Sequence, residues 1–463
     1  MSITIYNTQT RSLEPFETIE PGVVRMYVCG VTPYSRSHIG HALSSIVFDV
    51  IKRHLTYRGY TVRHVTNFTD IDDKIIARAN AEGVDANDLV ETMIEQWHTE
   101  IDAMNVLRAD VYPRATVEVP EIIAMIEGLI EKGHAYPVDG DVYFRVRSFP
   151  GYGKLSHRSL DDLMSGARIE IDERKDDPLD FALWKAAKPG EPWWDSPWGQ
   201  GRPGWHIECS AMCSHHLDGI VDIHGGGTDL IFPHHENEIA QSEAFLGREP
   251  FSRYWVHNGL LQLGGEKMSK SIGNLVSIGE LIASRRTVAF RVYALQTHYR
   301  MQLTYTEEGL EAAQRGLERI QAAMNEAHVA TDAVALDTAL APAAFSAFLA
   351  AMDNDFDTPG AMAEVFGLVR AINRSSGHAG SETALADARA TLQQMLDILG
   401  IDAASGTDDT ALAAAPFIDL LLEIRKELRT AKMWNLSDQI RDGLKELGIS
   451  IADGATGATW KQD

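Results

Sequence analysis

The sequence predicts an α/β protein: a Rossmann-like, parallel-sheet nucleotide-binding domain with an insertion, followed by an α-helical domain and a small C-terminal α+β unit. Two apolar runs, residues 23–29 and 61–67, flank a helical pattern near the start of the chain. A third strand pattern, residues 221–227, ends in three glycines. Beyond about Met301 the chain carries long, alanine-rich helical patterns, which favour a separate helical domain.

The first strands and helices form a βαβ pattern. A helix from about Ile39 to Tyr57 separates the first two strands, and another helix begins near Lys74. Such a unit is right-handed and its two strands are parallel. Because ligands bind beyond the carboxyl ends of parallel strands, Cys29 and residues 38–41 are expected at the ligand-binding edge.

Composition limits the classes of protein that the chain can represent. A length of 463 residues gives two to four domains, and no apolar stretch is long enough to span a bilayer. The first residues lack the layout of a signal peptide, so a cytoplasmic protein is predicted. Three cysteines cannot form a disulfide framework. The formal charge of −24 argues against non-specific nucleic-acid binding, but a specific RNA held by local basic patches remains compatible with it.

Two cysteines, a histidine and a glutamate suggest a metal site: Cys29, Cys209, His234 and Glu238. Pro233 is suited to the first turn of a helix, on which the histidine and the glutamate, four residues apart, share one face. Two thiolates, an imidazole and a carboxylate are a donor set that favours zinc. Rival ligands on spacing alone are His235, Cys213 and Glu208. The alternative is that the cysteines are buried apolar residues and the histidine pair caps a helix.

Two short motifs predict binding of a nucleoside triphosphate. The first, His38-Ile-Gly40-His41, lies where a strand meets a helix, so the helix dipole and the histidine N–H groups favour phosphate. The second, Lys267-Met-Ser-Lys270-Ser, places two cations on a glycine-flanked loop that can close over a leaving pyrophosphate. Alone, each motif is more typical of an ordinary loop. In this order they form the two-part signature of an enzyme that activates a carboxylic acid with ATP.

Three further sequence features can each be interpreted in two ways, as part of a binding site or as ordinary structure. Residues 225–227 form either a tight turn or a close approach of the backbone to adenine and ribose, with Asp229 near a hydroxyl. Residues 70–73 offer carboxylates to a site, but a helix N-cap is favoured for most of them. A basic helical stripe near the end comprises Arg425, Arg429, Lys432 and the following Trp434. It suits either single-stranded RNA or a solvated helix face.

Together these motifs resemble those of the class I aminoacyl-tRNA synthetases, and within that class the cysteinyl-tRNA synthetases. The resemblance covers essentially the whole chain and rests on residues 26–30, 69–73, 201–210, 222–227, 232–238 and 267–271. It implies one zinc ion on Cys29, Cys209, His234 and Glu238, without Cys213. It also implies that the thiolate of the substrate cysteine binds this zinc, which excludes serine without a proofreading domain.

The resemblance also implies roles for the remaining site residues. Charge during the reaction would be stabilised by His38, His41, Lys267 and Lys270. ATP would be bound by Gly40, His41, Gly225, Gly227, Asp229 and Lys270. The cysteine pocket would be formed by Gly30, Thr69, Trp205 and His224. The anticodon would be contacted by Arg429, Trp434, Asp438 and Asp453.

The implied reaction joins L-cysteine to tRNA(Cys). Cysteinyl-adenylate would form from ATP, which brings Mg²⁺, and the cysteinyl group would pass to a terminal ribose hydroxyl, the 2′-OH. A monomer that binds L-cysteine, ATP and tRNA(Cys), and no membrane, is expected. Two departures affect the first motif: Ser35 stands where the family commonly has aspartate, and Leu43 where it has arginine. An alternative is the similar mycothiol cysteine ligase, which joins cysteine to an amino sugar but is shorter and lacks the C-terminal unit.

The organisation of the chain predicts six segments. Residues 120–200 combine a helix, a hairpin pattern and a loop rich in proline and tryptophan, which is typical of an insertion. Residues 405–415 are typical of a linker. With the roles that the resemblance implies, the segments are the two halves of the Rossmann catalytic domain (1–119 and 201–262), the connective insertion (120–200), the second-motif loop and stem-contact region (263–305), the helical bundle (306–404) and the anticodon-binding unit (405–463).

Overall fold

The computed structural model describes residues 2–166, 174–264, 266–267, 276–325, 330, 332–404, 409–454 and 457–462. The chain divides into two units, Met1–Ala403 and Ala404–Asp463. None of the helices in the described ranges combines the length and the hydropathy needed to cross a membrane.

A parallel sheet is the centre of the first unit. The strands of this unit are, in chain order, β1 (Thr4–Asn7), β2 (Ser12–Pro15), β3 (Val23–Val31), β4 (Thr61–Phe68), β5 (Ala135–Val138), β6 (Asp141–Phe144), β7 (Phe181–Ala186), β8 (Gly201–Pro203), β9 (Val221–Gly227), β10 (Ser252–Asn258), β11 (Leu261–Leu263), β12 (Glu266–Lys267) and β13 (Leu303–Tyr305). The central sheet has the order β10-β9-β3-β4, and each neighbouring pair is parallel. The predicted Rossmann-like sheet is therefore confirmed.

Helices cover both faces of this sheet. The α-helices of this unit are, in chain order, α1 (Ile39–Tyr57), α2 (Asp73–Glu82), α3 (Ala86–Ala103), α4 (Val119–Glu131), α5 (Leu160–Gly166), α6 (Trp205–Leu217), α7 (Glu236–Leu246), α8 (Ile278–Ala283), α9 (Thr287–Leu295), α10 (Glu307–Met324), α11 (Leu340–Asp353), α12 (Thr358–Ser375) and α13 (Glu382–Leu399). One apolar core packs α1 and the helical domain against the sheet and includes Phe48 and Leu392. The other core packs α4 and α6 and includes Ile122 and Met212.

The insertion carries a sheet of its own. Strands β5, β6, β7 and β8 form an antiparallel sheet in this order, more than the single hairpin that the sequence suggested. Trp184 of β7 is fully buried in the core that the insertion shares with α4 and α6. The insertion is therefore packed onto one face of the central sheet.

A buried ion pair fixes α1 to the helical domain. Arg291 of α9 is 1% exposed and its guanidinium contacts the carboxylate of Asp49 on α1. Arg291 also donates to the backbone oxygens of Leu399 (2.7 Å) and Met104 (3.1 Å). Each N–H of a buried guanidinium needs an acceptor, so these bonds hold α1, α9 and the end of α13 in one arrangement.

The acidic cluster after β4 only partly caps a helix. Asp72 is the N-cap of α2 and accepts from the Lys74 N–H at 2.8 Å, as predicted. Asp70 instead accepts from the backbone N–H of Thr116 at 2.9 Å. Asp73 pairs with Lys185 at 3.1 Å, across the insertion. The capping prediction is confirmed for Asp72 and is wrong for Asp70 and Asp73. Asp70 fastens the end of β4 to the segment before α4, and Asp73 joins the start of α2 to β7 of the insertion.

The second unit is a small α+β structure, as predicted. Its elements are α14 (Asp409–Thr430), α15 (Trp434–Glu446), β14 (Ile449–Gly454) and β15 (Gly457–Gln462), and the two strands are antiparallel. Ile418, Leu422 and Leu444 form its buried core. The predicted linker at 405–415 is wrong from Asp409 onward, because α14 begins at Asp409. The alanine-rich residues that follow favour a helix.

Candidate active site

The carboxyl end of β3 begins the site. A Cβ at Gly30 would lie 1.7 Å from the backbone oxygen of Asn67, so only glycine fits between β3 and β4. The Gly30 N–H donates to the Asn67 side-chain oxygen at 2.9 Å. This contact fixes the neighbouring Cys29, which is half-buried, at the edge of the sheet.

The helix α6 and the segment that leads into α7 bring three more potential ligands to Cys29. Cys209 lies in the second turn of α6 and is 1% exposed. Phe232 has extended backbone angles (φ −141°, ψ 131°), and the chain turns helical after it and continues into α7. His234 and Glu238 are therefore one turn apart, as predicted, with Nε2 and Oε1 3.0 Å from each other. Both side chains are buried.

The four side chains converge at the separations of a tetrahedral metal site. The Cys29 Sγ lies 3.9 Å from the Cys209 Sγ, 3.6 Å from the His234 Nε2 and 3.4 Å from the Glu238 Oε1. Metal bonds of about 2.3 Å to sulfur and 2.0–2.1 Å to nitrogen or oxygen would give edges of about 3.8 Å and 3.6 Å in a tetrahedron. The cluster could therefore hold a metal ion.

A second set of potential ligands overlaps the first and comprises Cys29, His224, His235 and Glu238. The His235 Nε2 lies 3.3 Å from the Cys29 Sγ but 4.0 Å from the Glu238 Oε1. The Nδ1 of the same ring is 2.7 Å from the Nε2 of His257, and His257 Nδ1 is 2.8 Å from the hydroxyl of Thr8. These bonds orient His235 from behind. Within the described part of the chain, neither set includes Cys213 or Glu208.

Burial and mutual contacts shift the pKa values of these ligands. Burial raises the pKa of the Cys29 thiol well above its usual range, and a hydrogen bond from Cys29 lowers the pKa of Cys209 to about 6. Burial opposes the charge of Glu238, but His224 and His234 hold the pKa of its carboxyl well below the usual range. A cation bound to the cluster would replace the Cys29 proton, because metal ligands must be deprotonated.

Aromatic rings and histidines surround the cluster. The Trp205 ring stacks on His234 with centroids 4.3 Å apart, and His206 Nδ1 lies 2.8 Å from His234 Nδ1. The His224 ring stacks on Trp255 with centroids 4.5 Å apart, and its Nε2 lies 2.9 Å from the Glu238 Oε2. Sequence reasoning missed His206, His235, His257 and Trp255 as supporting residues. The sequence hints at these residues only through the many histidines and tryptophans in and around β9 and β10.

A cavity of about 430 Å³ opens in front of Cys29. Its volume lies in the range typical of small-molecule sites. Site residues from several predicted roles line it together: Cys29, Gly30, His38, Gly40, His41, Trp205, Gly227 and Asp229. Thr69 and His224 are buried behind this lining, 4% and 0% exposed.

The two histidines of the first motif cap α1. The Nδ1 of His38 accepts from the Gly40 N–H at 3.1 Å, and the Nδ1 of His41 accepts from the His38 N–H at 3.4 Å. In a neutral imidazole the other nitrogen then carries the proton, so both Nε2 atoms are donors. The rings stack with centroids 3.8 Å apart. The start of α1 therefore presents paired N–H groups together with the positive end of the helix dipole.

The three glycines of β9 do not form a tight turn. Gly225, Gly226 and Gly227 are part of the strand and pair with β10. A Cβ at Gly225 would lie 2.2 Å from the ring of Phe48, so this glycine makes room for a core side chain. The tight-turn interpretation is therefore wrong. The absence of side chains lets α1 pack closely on the strand.

The second motif falls mostly outside the described residues. Lys267 ends β12, which pairs with β11, but its side chain lies outside the described part of the chain. Lys270 lies outside it as well. The strand β11 follows the end of β10 by two residues, and Leu260 and Leu261 line the cavity. The chain therefore passes the cavity on its way from the central sheet to the second motif.

In the second unit the proposed RNA-facing residues differ in exposure. Trp434 begins α15 and is 55% exposed, and Arg429 is exposed in the last turn of α14. Asp438 pairs with Arg441 at 3.2 Å. Asp453 lies in β14, and its side chain is outside the described residues. Arg425 is only 4% exposed, so the predicted basic stripe does not extend to it.

The chain matches known families and proteins over nearly all of its length. A family model described as "tRNA synthetases class I (C) catalytic domain" matches residues 15–315, and one described as "DALR domain" matches residues 347–404. The cysteine–tRNA ligase of Dehalococcoides mccartyi strain BAV1 is 54% identical over 458 residues, which cover 99% of each chain. The chain belongs to the cysteine–tRNA ligase family. A further member, from Geobacillus thermodenitrificans, is 47% identical over 100% of this chain and 99% of its own.

Solved structures of other synthetases share the fold of this family member. The Mycobacterium tuberculosis methionyl-tRNA synthetase in complex with methionyl-adenylate has a TM-score of 0.59 at 17% identity. The match covers 86% of this chain and 94% of that one. The leucyl-tRNA synthetase of an Agrobacterium radiobacter K84 ternary complex gives 0.59 at 11% identity, covering 85% and 86%. At these identities the likeness shows the fold alone, and it agrees with the predicted fold class.

Two cysteines of α6 allow a matched test of the metal cluster. We expect Cys209→Ala to weaken metal binding by at least about tenfold, because one of four converging ligands is lost. Cys213→Ala, one turn further along the helix and fully buried, removes the same atoms from outside the cluster and is expected to retain the metal. Metal content is measured by mass spectrometry after dialysis against a chelator. Equal loss from both variants would contradict the assignment.

Proposed function

We propose that the protein is a cysteine–tRNA ligase, which activates L-cysteine with ATP and transfers it to tRNA(Cys). The observation that carries this proposal is the meeting of two groups in one cavity. Cys29 of the thiol-rich cluster lines one wall, and the paired histidines of α1 line another. The identity of about half with cysteine–tRNA ligases over the whole chain supports the same activity.

The metal is proposed to be zinc, held by Cys29, Cys209, His234 and Glu238. The His234–Glu238 edge of 3.0 Å lies nearer to the tetrahedral value of about 3.3 Å than the His235–Glu238 edge of 4.0 Å, which favours the set with His234. When bound, zinc supplies a Lewis acid that prefers the thiolate of cysteine to the hydroxyl of serine. His224 holds the second oxygen of Glu238, and Trp205 packs on His234, so both residues orient ligands.

The cavity in front of the cluster is proposed to bind cysteine and Mg·ATP. Gly30 and Trp205 line the part beside Cys29, and the buried Thr69 supports it through a contact with the Asn67 side chain at 3.3 Å. Gly40, Gly227 and Asp229 lie where they can contact the nucleotide, and Gly225 keeps the strand close to α1.

The reaction needs no covalent enzyme intermediate. A carboxylate oxygen of cysteine attacks the α-phosphorus of ATP, and pyrophosphate leaves with Mg²⁺. The terminal 2′-OH of the tRNA then attacks the carbonyl carbon, and AMP leaves. His38 and His41 donate from Nε2 to phosphate oxygens, and Lys267 and Lys270 are proposed to neutralise the charge on the leaving group. Catalysis is therefore positioning and charge stabilisation.

We propose that the tRNA is contacted by two segments that follow the central sheet in the sequence. Residues 263–305 would contact the stem, and residues 405–463 the anticodon through Arg429, Trp434, Asp438 and Asp453. The exposed indole of Trp434 offers a stacking surface for a base. The curated relatives match both of these regions, which favours tRNA over an amino sugar as the acceptor.

We further propose a cytoplasmic monomer, with residues 120–200 as the connective insertion and 306–404 as the helical bundle.

The decisive test is charging of a transcribed cysteine tRNA. We expect cysteine-dependent ATP–pyrophosphate exchange and formation of cysteinyl-tRNA by the metal-loaded protein. Serine should be rejected by at least about 10⁴-fold in kcat/KM, as when a buried site group loses its partner. A chelator that removes the metal should abolish charging. Exchange without charging, or ligation of cysteine to an amino sugar instead, would contradict the proposal.

A second test separates phosphate contacts from cysteine binding. In His41→Asn the side-chain oxygen can still accept from the His38 N–H, so the cap of α1 is retained, but the Nε2 donor is lost. We expect kcat of pyrophosphate exchange to fall by about 10²–10³-fold with little change in KM for cysteine. His157→Asn, at an exposed histidine outside the cavity, serves as the control. A raised KM for cysteine at unchanged kcat would overturn this role.

A further inference from the structure

A separate group of potential metal ligands lies at the other end of α6 from Cys209. It consists of Glu118, just before α4, and His215 and His216 in the last turn of α6. Their nearest ligand atoms all lie within 4.8 Å of one another. At 1.5 Å per residue, about 10 Å of helix separates this group from the inner cluster. Nothing in the proposed reaction uses these three side chains.

Both histidine rings converge on the same carboxylate. The His215 Nδ1 lies 2.6 Å from Glu118 Oε2, and the His216 Nε2 lies 2.9 Å from Glu118 Oε1. The ring centroids are 4.6 Å apart. Two ligand atoms around a zinc-sized ion stand about 3.3 Å apart, so a small rotation of each ring would admit an ion between the donors.

The three side chains differ in exposure in a way that suits ion entry from solvent. Glu118 is 6% exposed, whereas the side chains of His215 and His216 are 49% and 21% exposed. The carboxylate thus forms a buried floor, and the rings stand at the surface, where water can complete the coordination. Because α4 packs on α6, all three donors stand on a rigid base.

Local charges favour a cation at this place. The histidines lie where the carbonyl groups of α6 end, and a helix C-terminus attracts positive charge. The nearby Arg63 guanidinium donates to the backbone oxygen of His216 at 3.3 Å. It also pairs with the carboxylate of Asp218 at 3.5 Å, which offsets its positive charge. The formal charge of −24 further raises the local concentration of cations.

We propose that Glu118, His215 and His216 form a second, solvent-accessible site for a divalent transition metal such as zinc. Two imidazoles and one carboxylate are ligands that zinc, cobalt and nickel accept, and water would fill the open positions. The bound ion would join the start of α4 to the end of α6 and so stiffen the helix that carries Cys209. With three ligands and partial exposure, this site binds metal more weakly than the inner cluster.

The test compares zinc uptake by the full-length protein and by His215→Gln/His216→Gln. Glutamine retains an N–H for the Glu118 carboxylate but is a poor zinc ligand, so the fold is kept while the site is lost. Equilibrium dialysis with mass spectrometry is expected to show one zinc equivalent fewer in the double variant. Each single variant should weaken that equivalent by at least about tenfold. His157→Asn removes an exposed histidine elsewhere and is expected to change nothing.

The difference between the two proteins does not depend on what the inner cluster holds or on charging activity, so failure of either proposal is distinguishable. In zinc-soaked crystals, anomalous density is expected between the three side chains. Equal zinc stoichiometry in the wild type and the double variant would overturn the site. So would an extra equivalent whose anomalous density lies elsewhere.

Discussion

Burial of ionisable groups at the carboxyl edge of the central sheet is the constraint on which the site depends. Two sulfurs, an imidazole and a carboxylate lie within 4.8 Å of one another, and all but Cys29 are fully buried. Buried anions without a counter-charge cost several kcal/mol each, roughly, even after relaxation. Burial lowers the pKa of His234, but Glu238 and Cys209 raise it to about 10, so its imidazolium offsets part of this cost. A divalent cation would offset the remainder, which supports the proposed metal.

The site joins two independently packed cores. The proposed metal ligands come from β3, α6 and the start of α7, which pack in the core shared with the insertion. The paired histidines come from α1, which packs in the other core. The pair of Arg291 and Asp49 fixes α1 to α9, and Arg291 also bonds Leu399 of the helical domain. The cavity lies between these two rigid supports. Catalysis by proximity and orientation needs the substrate to be held precisely beside the groups that donate hydrogen bonds to its phosphates.

Sequence reasoning succeeded where local patterns decide the structure. The limits of α1 follow from its capping histidine and its apolar face, and β3 and β9 follow from short apolar runs. It failed where partners distant in sequence decide. The glycines of β9 were open to a turn because the packing of Phe48 on Gly225 is not visible in one sequence. Arg425 was assigned to a basic stripe, although its neighbours in the second unit bury it.

The ligand set also shows this limit. Spacing could pair His234 with Glu238, because one helical turn relates them, but it could not exclude the rival ligands His235, Cys213 and Glu208. The parallel register of β9 and β10, which brings His224 beside Trp255, places the supporting rings, and no local pattern encodes that register. In the sequence, only the family resemblance distinguishes the four proposed ligands from their rivals.

X-ray absorption at the zinc edge of the metal-loaded protein tests the central claim most directly. The ion is expected to have two sulfur neighbours at about 2.3 Å without substrate and to gain a third when cysteine is added, but not when serine is added. A metal environment that is unchanged by cysteine would contradict the account.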